Sequence, residues 1–202
     1  MNKTLKSFLF PAILLVVNVI SLFSFMRKDL TEEKRYSLSD ASQSLVTGLE
    51  APIDILVFLD GEELPNGFER LKQATQETLD EFKNYGGAKF TYRFFDPNSI
   101  GDPTQRKAYI DSLYFKNIQP TNVFDTDGGR KTETLVFPYA LITYQGKEQS
   151  MLLLQGNQAL SAEEKLNQSY ENLEYSFATA FRQLTQEERK KVGLLKDFTS
   201  LD

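Results

Sequence analysis

Four acidic residues follow two predicted β-strands, and they are the strongest candidates for a ligand site. These residues are Asp60, Glu62, Glu63 and Asp96. The first three come after the strand predicted at residues 53–59, and the last follows the strand predicted at residues 90–95. Ligands of open α/β sheets bind beyond the carboxyl ends of the strands, where carboxylates can hold a cation or a basic group. Acidic residues beside Gly or Pro are also common turn formers, and we favour that structural interpretation.

Catalytic chemistry is limited by the residues that the chain lacks. The sequence contains no cysteine, histidine or tryptophan. This excludes a Ser-His-Asp triad, a thiolate nucleophile, dithiol redox chemistry and the usual zinc and copper sites. Carboxylate, lysine and tyrosine chemistry remains, together with the binding of hard cations. We therefore predict no catalytic residues, no metal site and no cofactor.

The charge of the chain argues against nucleic acid as a partner. Acidic residues outnumber basic ones, 28 to 23, and the formal net charge is −5. Nucleic-acid-binding proteins typically concentrate basic residues into a patch or a tract, and this sequence has none.

An apolar run near the N-terminus predicts a membrane anchor. Residues 7–26 carry no charged side chain, and a helix of that length spans about 30 Å, the thickness of a bilayer core. We predict a transmembrane helix at residues 7–26, after a cytoplasmic tail at residues 1–6. A cleaved signal peptide is the alternative, but this run is longer than a usual signal core and ends in bulky residues. Basic residues flank both sides almost equally, so charge leaves the orientation open.

The remaining sequence alternates between strand and helix patterns. A juxtamembrane segment and a helix capped by Ser37 are predicted within residues 27–50. A helix beginning near residue 66 follows the first strand and stops at Gly86 and Gly87. Asp102 and Pro103 open a second helix after the second strand.

The second half of the sequence predicts a β meander and a long helix. Hairpin turns are expected at residues 127–128 and 145–146. Ser161 and Glu164 form a capping box pattern that opens the last helix. An apolar stripe with helical spacing runs along this helix from Leu166 to Leu184, and we expect it to pack on the sheet of its own domain.

The order β-α-β-α, β meander, α predicts a mixed sheet with helices on both faces. Thioredoxin-like folds share this order, so we predict a thioredoxin-like α/β domain at residues 51–188, following the transmembrane helix. Such folds often place a cis proline before the third strand, where this sequence has Pro120. We predict a cis peptide bond there, although most prolines are trans.

Six segments, in this order and spacing, resemble one known family. They are residues 27–39 (RKDLTEEKRYSLS), 67–71 (GFERL), 82–85 (FKNY), 119–122 (QPTN), 136–140 (VFPYA) and 173–178 (LEYSFA). Together they resemble the N-terminal part of the gliding-motility-associated ABC transporter substrate-binding (auxiliary) protein of Bacteroidetes. None of these segments is a catalytic signature.

The resemblance implies a single-pass protein of the bacterial inner membrane, with its domain on the periplasmic side. It also implies association with an ABC transporter permease and ATPase and with the lipid bilayer, and no nucleotide bound by this chain. Members continue into a second α/β domain, and residues 189–202 look like the start of a truncated one.

Three functional hypotheses follow. The first is a non-enzymatic, membrane-anchored accessory subunit of an ABC transporter, acting through protein–protein contacts outside the cytoplasm. The second is a stand-alone membrane-tethered domain that binds a ligand such as a sugar or a peptide. The third is a hydrolase that uses carboxylates alone, which the missing cysteine and histidine disfavour.

Overall fold

A computed structural model of the chain describes residues 37–61, 64–127, 130–156 and 159–186, with the side chains of residues 124–132 outside that description. The helices and strands in chain order are α1 (Asp40–Thr47), β1 (Ile53–Val57), α2 (Asn66–Gly86), β2 (Phe90–Phe94), α3 (Pro103–Tyr114), β3 (Thr121–Asp127), β4 (Arg130–Val136), β5 (Tyr139–Tyr144), β6 (Lys147–Leu152) and α4 (Ala162–Thr185). Two short 3-10 turns, Gly87–Lys89 and Pro97–Ser99, flank β2.

A four-stranded mixed sheet in the order β2-β1-β5-β6 lies at the centre. The crossover through α2 makes β1 and β2 parallel, because a parallel pair needs a long connection. β5 pairs antiparallel with both β1 and β6. Gln145 and Gly146 both have positive φ, 49° and 76°, which suits the predicted tight hairpin between β5 and β6.

The main hydrophobic core lies between one face of the sheet and three helices. Ile53, Ile55 and Val57 of β1 point into it and are fully buried. α1, α2 and α4 contribute apolar residues to the same cluster. The stripe along α4 packs there as expected, so its burial on this domain is confirmed.

The opposite face of the sheet is only partly covered by the residues that the structure describes. α3 packs there through Leu113, in a smaller cluster that includes Leu56 of β1 and Leu141 of β5. Asp54 and Thr91, on the same face, are exposed and hydrogen-bonded to each other. β1 is therefore buried on one face and exposed at Asp54 on the other.

Most of the predicted helix ends are confirmed. The Asp102 side chain accepts a hydrogen bond from the Gln105 amide at the start of α3, and Ser161 and Glu164 form a complete capping box at α4. The prediction for α1 is wrong by two residues, because Ser39 rather than Ser37 is its N-cap. Leu38 and Val46 of this segment belong to the main core.

The predicted fold class needs two corrections. The transmembrane helix at residues 7–26 lies outside the described residues, and none of the helices in the described ranges has the length and apolar character to cross a bilayer. The predicted thioredoxin-like order is not shown, because β3 pairs with β4 in a separate two-stranded sheet instead of joining the central one.

The proline prediction is also wrong. Pro120 has an ordinary trans peptide bond, as do the other described residues. The trans form is the more stable isomer, and here the proline leads into the separate hairpin. The tail at residues 1–6 and the segment at residues 189–202 lie outside the described residues.

Candidate functional site

The parallel pairing of β1 and β2 brings two of the predicted acidic residues to one edge of the sheet. Val57 and Phe94 are opposite each other where the strands end, so Asp60 and Asp96 both follow at that edge. The loops approach closely, since a Cβ atom built on Gly61 would lie 3.3 Å from Asp96 Oδ2. Gly61 has φ +140°, a backbone conformation that favours glycine.

The other two predicted acids, Glu62 and Glu63, lie outside the described residues. The structure therefore places Asp60 and Asp96 near the same loop and gives no position for the remaining pair.

Asp60 forms an ion pair with a lysine of α2. Its Oδ1 atom lies 2.8 Å from Lys72 Nζ and also accepts a hydrogen bond of 3.0 Å from the Gly61 amide. The hydrogen bond from Lys72 to Asp60 raises the pKa of the lysine above its ordinary value, although partial burial acts in the opposite direction. These contacts fasten the loop after β1 to the first turns of α2.

Asp96 ends β2 and caps the turn that follows it. Its Oδ1 atom accepts hydrogen bonds from Asn98 N at 2.8 Å and from Asn98 Nδ2 at 2.9 Å. Asn98 Nδ2 also donates to the Leu135 carbonyl of β4, at 2.9 Å. Asp96 therefore orients the amide that connects this edge of the central sheet to the β3–β4 hairpin.

For Asp60 and Asp96, these contacts support the turn-forming interpretation over a ligand site. Asp60 holds a loop and Asp96 caps a turn, and each role occupies a carboxylate oxygen. Across the described ranges, no group of three or more acidic residues is placed to hold a metal ion.

We expect Lys72→Met to destabilise the fold slightly and in a pH-dependent way. Because folding raises the pKa of Lys72, the pair stabilises the protein fully below the ordinary lysine value of 10.5 and loses its effect as the pH rises through the raised value. Partly exposed ion pairs contribute up to about 1 kcal/mol. Urea unfolding at pH 8 should give Lys72→Met a free energy of unfolding lower than that of the wild type by up to about 1 kcal/mol. This difference between the two proteins should shrink above pH 10.5. A difference that grows with pH would contradict this account.

The sequence pattern missed an exposed aromatic pair at the end of α3. Phe115 is 90% exposed and Tyr114 is 46% exposed. Both residues follow the buried Leu113 directly in the sequence. We call Tyr114 and Phe115 the aromatic knob.

A Schellman-type helix end fixes the aromatic knob in place. Asn117 has the left-handed φ of 58° that this motif needs. The amide of Ile118 donates to the Leu113 carbonyl at 3.0 Å, and the amide of Asn117 donates to the Tyr114 carbonyl at 3.1 Å. Leu113 and Ile118 are both buried, so the turn directs its apolar contact inward and leaves Phe115 outside.

An ion pair holds the same turn against the sheet. Lys116 Nζ contacts Glu148 Oε2 of β6. The helix end is thus attached to the sheet both by Ile118 and by Lys116. The knob therefore places two exposed aromatic side chains on a turn whose backbone is held by hydrogen bonds.

Comparisons with known proteins give one match. Neither curated proteins nor solved structures provide a match to this chain. The family model for a domain of unknown function, DUF7088, matches residues 32–143, which covers more than half of the sequence and extends from before α1 into β5. The chain therefore belongs to the DUF7088 family.

Proposed function

We propose that this protein is a non-enzymatic accessory subunit of an ABC transporter that acts through protein–protein contacts. The resemblance of six segments to gliding-motility-associated substrate-binding proteins supports this role. In this proposal the domain lies on the periplasmic side of the bacterial plasma membrane. It binds the transporter permease, and through the permease it associates with the ATPase.

The aromatic knob is the observation that carries the proposal. Phe115 exposes 90% of its surface, and burying a phenylalanine side chain contributes about 1.5–3 kcal/mol. The hydrogen bonds of the turn hold the backbone around this residue. A backbone that is already ordered loses little conformational entropy on binding, so more of that free energy remains as affinity.

The acidic residues support a binding role over carboxylate hydrolysis. A general acid or nucleophile needs a carboxylate that can reach the substrate. Asp60 is paired with Lys72, and Asp96 is hydrogen-bonded to Asn98. Both carboxylates therefore stabilise the loops at this edge of the sheet through these contacts.

Replacing Phe115 by serine tests the proposal. We expect Phe115→Ser in the full chain to lower recovery of the permease and the ATPase by about tenfold or more, because central aromatic contacts often contribute 2 kcal/mol or more. The fold should keep its stability, since the side chain makes little contact with the rest of the domain. The measurement is affinity isolation of the tagged chain from native membranes.

Tyr175→Ser is the matched control. Tyr175 is another exposed aromatic residue, 70% exposed on α4, and its replacement should leave recovery unchanged. Equal recovery with wild type, Phe115→Ser and Tyr175→Ser would reject the aromatic knob as the contact. Absence of any ABC permease from the wild-type isolate would reject the proposed function itself.

A further inference from the structure

The β3–β4 hairpin has an outer edge that takes no strand from the described part of the chain. Its register is continuous from Thr121 opposite Val136 to Asp127 opposite Arg130, without a bulge. Among the described residues, no backbone hydrogen bond joins β3 to any element except β4. A two-stranded sheet alone is marginally stable in water, and an edge of this length is a template for another strand.

Alternation along the ladder identifies the backbone groups at this edge. Residues that bond across an antiparallel pair alternate with residues whose amide and carbonyl groups point away from it. Asn98 donates to the Leu135 carbonyl from outside the hairpin, so Leu135 and its opposite residue, Asn122, point away. By the same alternation, Phe124 and Thr126 of β3 also direct their backbone groups outward.

This set of outward groups is symmetric about Phe124. If two copies of β3 run antiparallel with Phe124 opposite Phe124 of the second copy, Asn122 lies opposite Thr126. All three resulting pairs are hydrogen-bonding pairs, which exchange about six N–H···O=C bonds in total. The strand can therefore bind a second copy of itself in register.

The charges of β3 are compatible with the same register. Asp125 falls opposite Val123 of the second copy, and Asp127 falls opposite Thr121. Two carboxylates directly opposite each other would destabilise the pair, and this register places no two carboxylates opposite each other.

The edges of the central sheet differ from the edge of β3. The edge strand β2 carries the exposed Arg93, and the edge strand β6 begins with the exposed Lys147. Charged side chains, prolines and bulges protect natural edges from pairing with other chains. β3 has no lysine, arginine, proline or glycine, and its charged residues are the two aspartates Asp125 and Asp127. It therefore lacks the basic side chains that lie on both edges of the central sheet.

From these observations we propose that two copies of this chain associate through the outer edges of their β3 strands. The two hairpins then form one four-stranded antiparallel sheet across a two-fold axis at Phe124. Isologous two-fold contacts of this kind are the commonest form of self-association. The inference does not depend on the transporter role, because it rests on the backbone of the hairpin.

Single-cysteine cross-linking tests the register, since the natural chain has no cysteine. Opposite residues in a hydrogen-bonding pair have Cα atoms about 5.5 Å apart, which a disulfide can span. On mild oxidation, Phe124→Cys in the full chain should form a covalent dimer, while the exposed control Ser112→Cys should remain mostly uncross-linked. Equal cross-linking of the two variants would overturn the proposal.

A proline substitution tests the edge without breaking the hairpin ladder. Phe124→Pro removes an outward amide, whereas Phe124→Thr keeps it. Light scattering should give the wild type and Phe124→Thr a mass of two 23.1-kDa chains, and Phe124→Pro the mass of one. A monomeric wild type, including one whose β3 binds a different protein, would overturn the proposal. So would a dimer that Phe124→Pro leaves intact.

Discussion

Phe82→Ala is expected to lower the free energy of unfolding by about 3–5 kcal/mol, the range for removing a fully buried phenylalanine. Phe82 is completely buried and joins α2 to α4 and to the start of β2. Its ring stacks on Phe90 at a centroid distance of 6.0 Å. It also meets the edges of Phe177 at 6.3 Å and of Phe181 at 5.1 Å. Its removal leaves a cavity among rings that two other elements, β2 and α4, hold in place.

Chemical denaturation of Phe82→Ala, with Tyr175→Ala as the control variant, measures this loss of unfolding free energy. Tyr175 lies on α4 and is 70% exposed, so its truncation should change stability by no more than about 0.5 kcal/mol. A loss below about 1.5 kcal/mol for Phe82→Ala would contradict the packing described here, because a cavity of this kind costs more than that.

Gly86→Ala is expected to destabilise the fold by about 1–3 kcal/mol, the usual cost of overpacking. In a helix, replacing glycine by alanine normally stabilises the protein by about 1 kcal/mol. At residue 86 we expect the opposite effect, a loss of stability. A Cβ atom at residue 86 would lie 2.7 Å from Val46 Cγ1 and 2.8 Å from Phe90 Cβ. Phe90 Cβ is attached directly to a strand of the sheet and has little freedom to move.

Two variants separate this clash from a general effect of alanine. Gly101 has open space around it, so Gly101→Ala should be close to neutral. The cost of Gly86→Ala should fall in a Val46→Ala background, because one of the two obstructing side chains is then shorter. If Gly86→Ala raises the melting temperature, the close packing of α1 on the end of α2 is incorrect.

Local sequence signals predicted the helix ends and the core stripe well. The capping box of Ser161 and Glu164 involves residues three positions apart, and its formation depends little on the rest of the chain. The apolar residues of α4 recur at helical spacing, which places them on one face of the helix. Such features are visible in a single sequence because neighbouring residues determine them.

Strand partners were harder to predict because pairing is not local. Only the Thr, Val and Phe residues of β3 favour a strand, while Asn122, Asp125 and Asp127 do not, and this composition does not identify a partner. The connection from Asp96 through Asn98 to Leu135 holds the hairpin beside the central sheet. It joins residues 37 positions apart, and no local pattern reveals it.

The candidate site shows the same limits. The strand order correctly suggested a shared edge for Asp60 and Asp96, but the ion pair with Lys72 depends on how α2 is placed. The aromatic knob was missed because the apolar character of Tyr114 and Phe115 does not distinguish them from the buried Leu113 beside them. Asn117 followed by Ile118 after a buried Leu113 is the pattern of a Schellman end, and it could have revealed the exposed turn.

Photo-cross-linking from residue 115 tests the proposed role most directly. A photoreactive phenylalanine analogue at this position, in the full chain in living cells, should form an adduct with an ABC permease. The same analogue at Tyr175 should form few adducts or none with that protein. If position 115 gives no permease adduct, or gives the same products as position 175, the aromatic knob does not bind the transporter and the proposed function is contradicted.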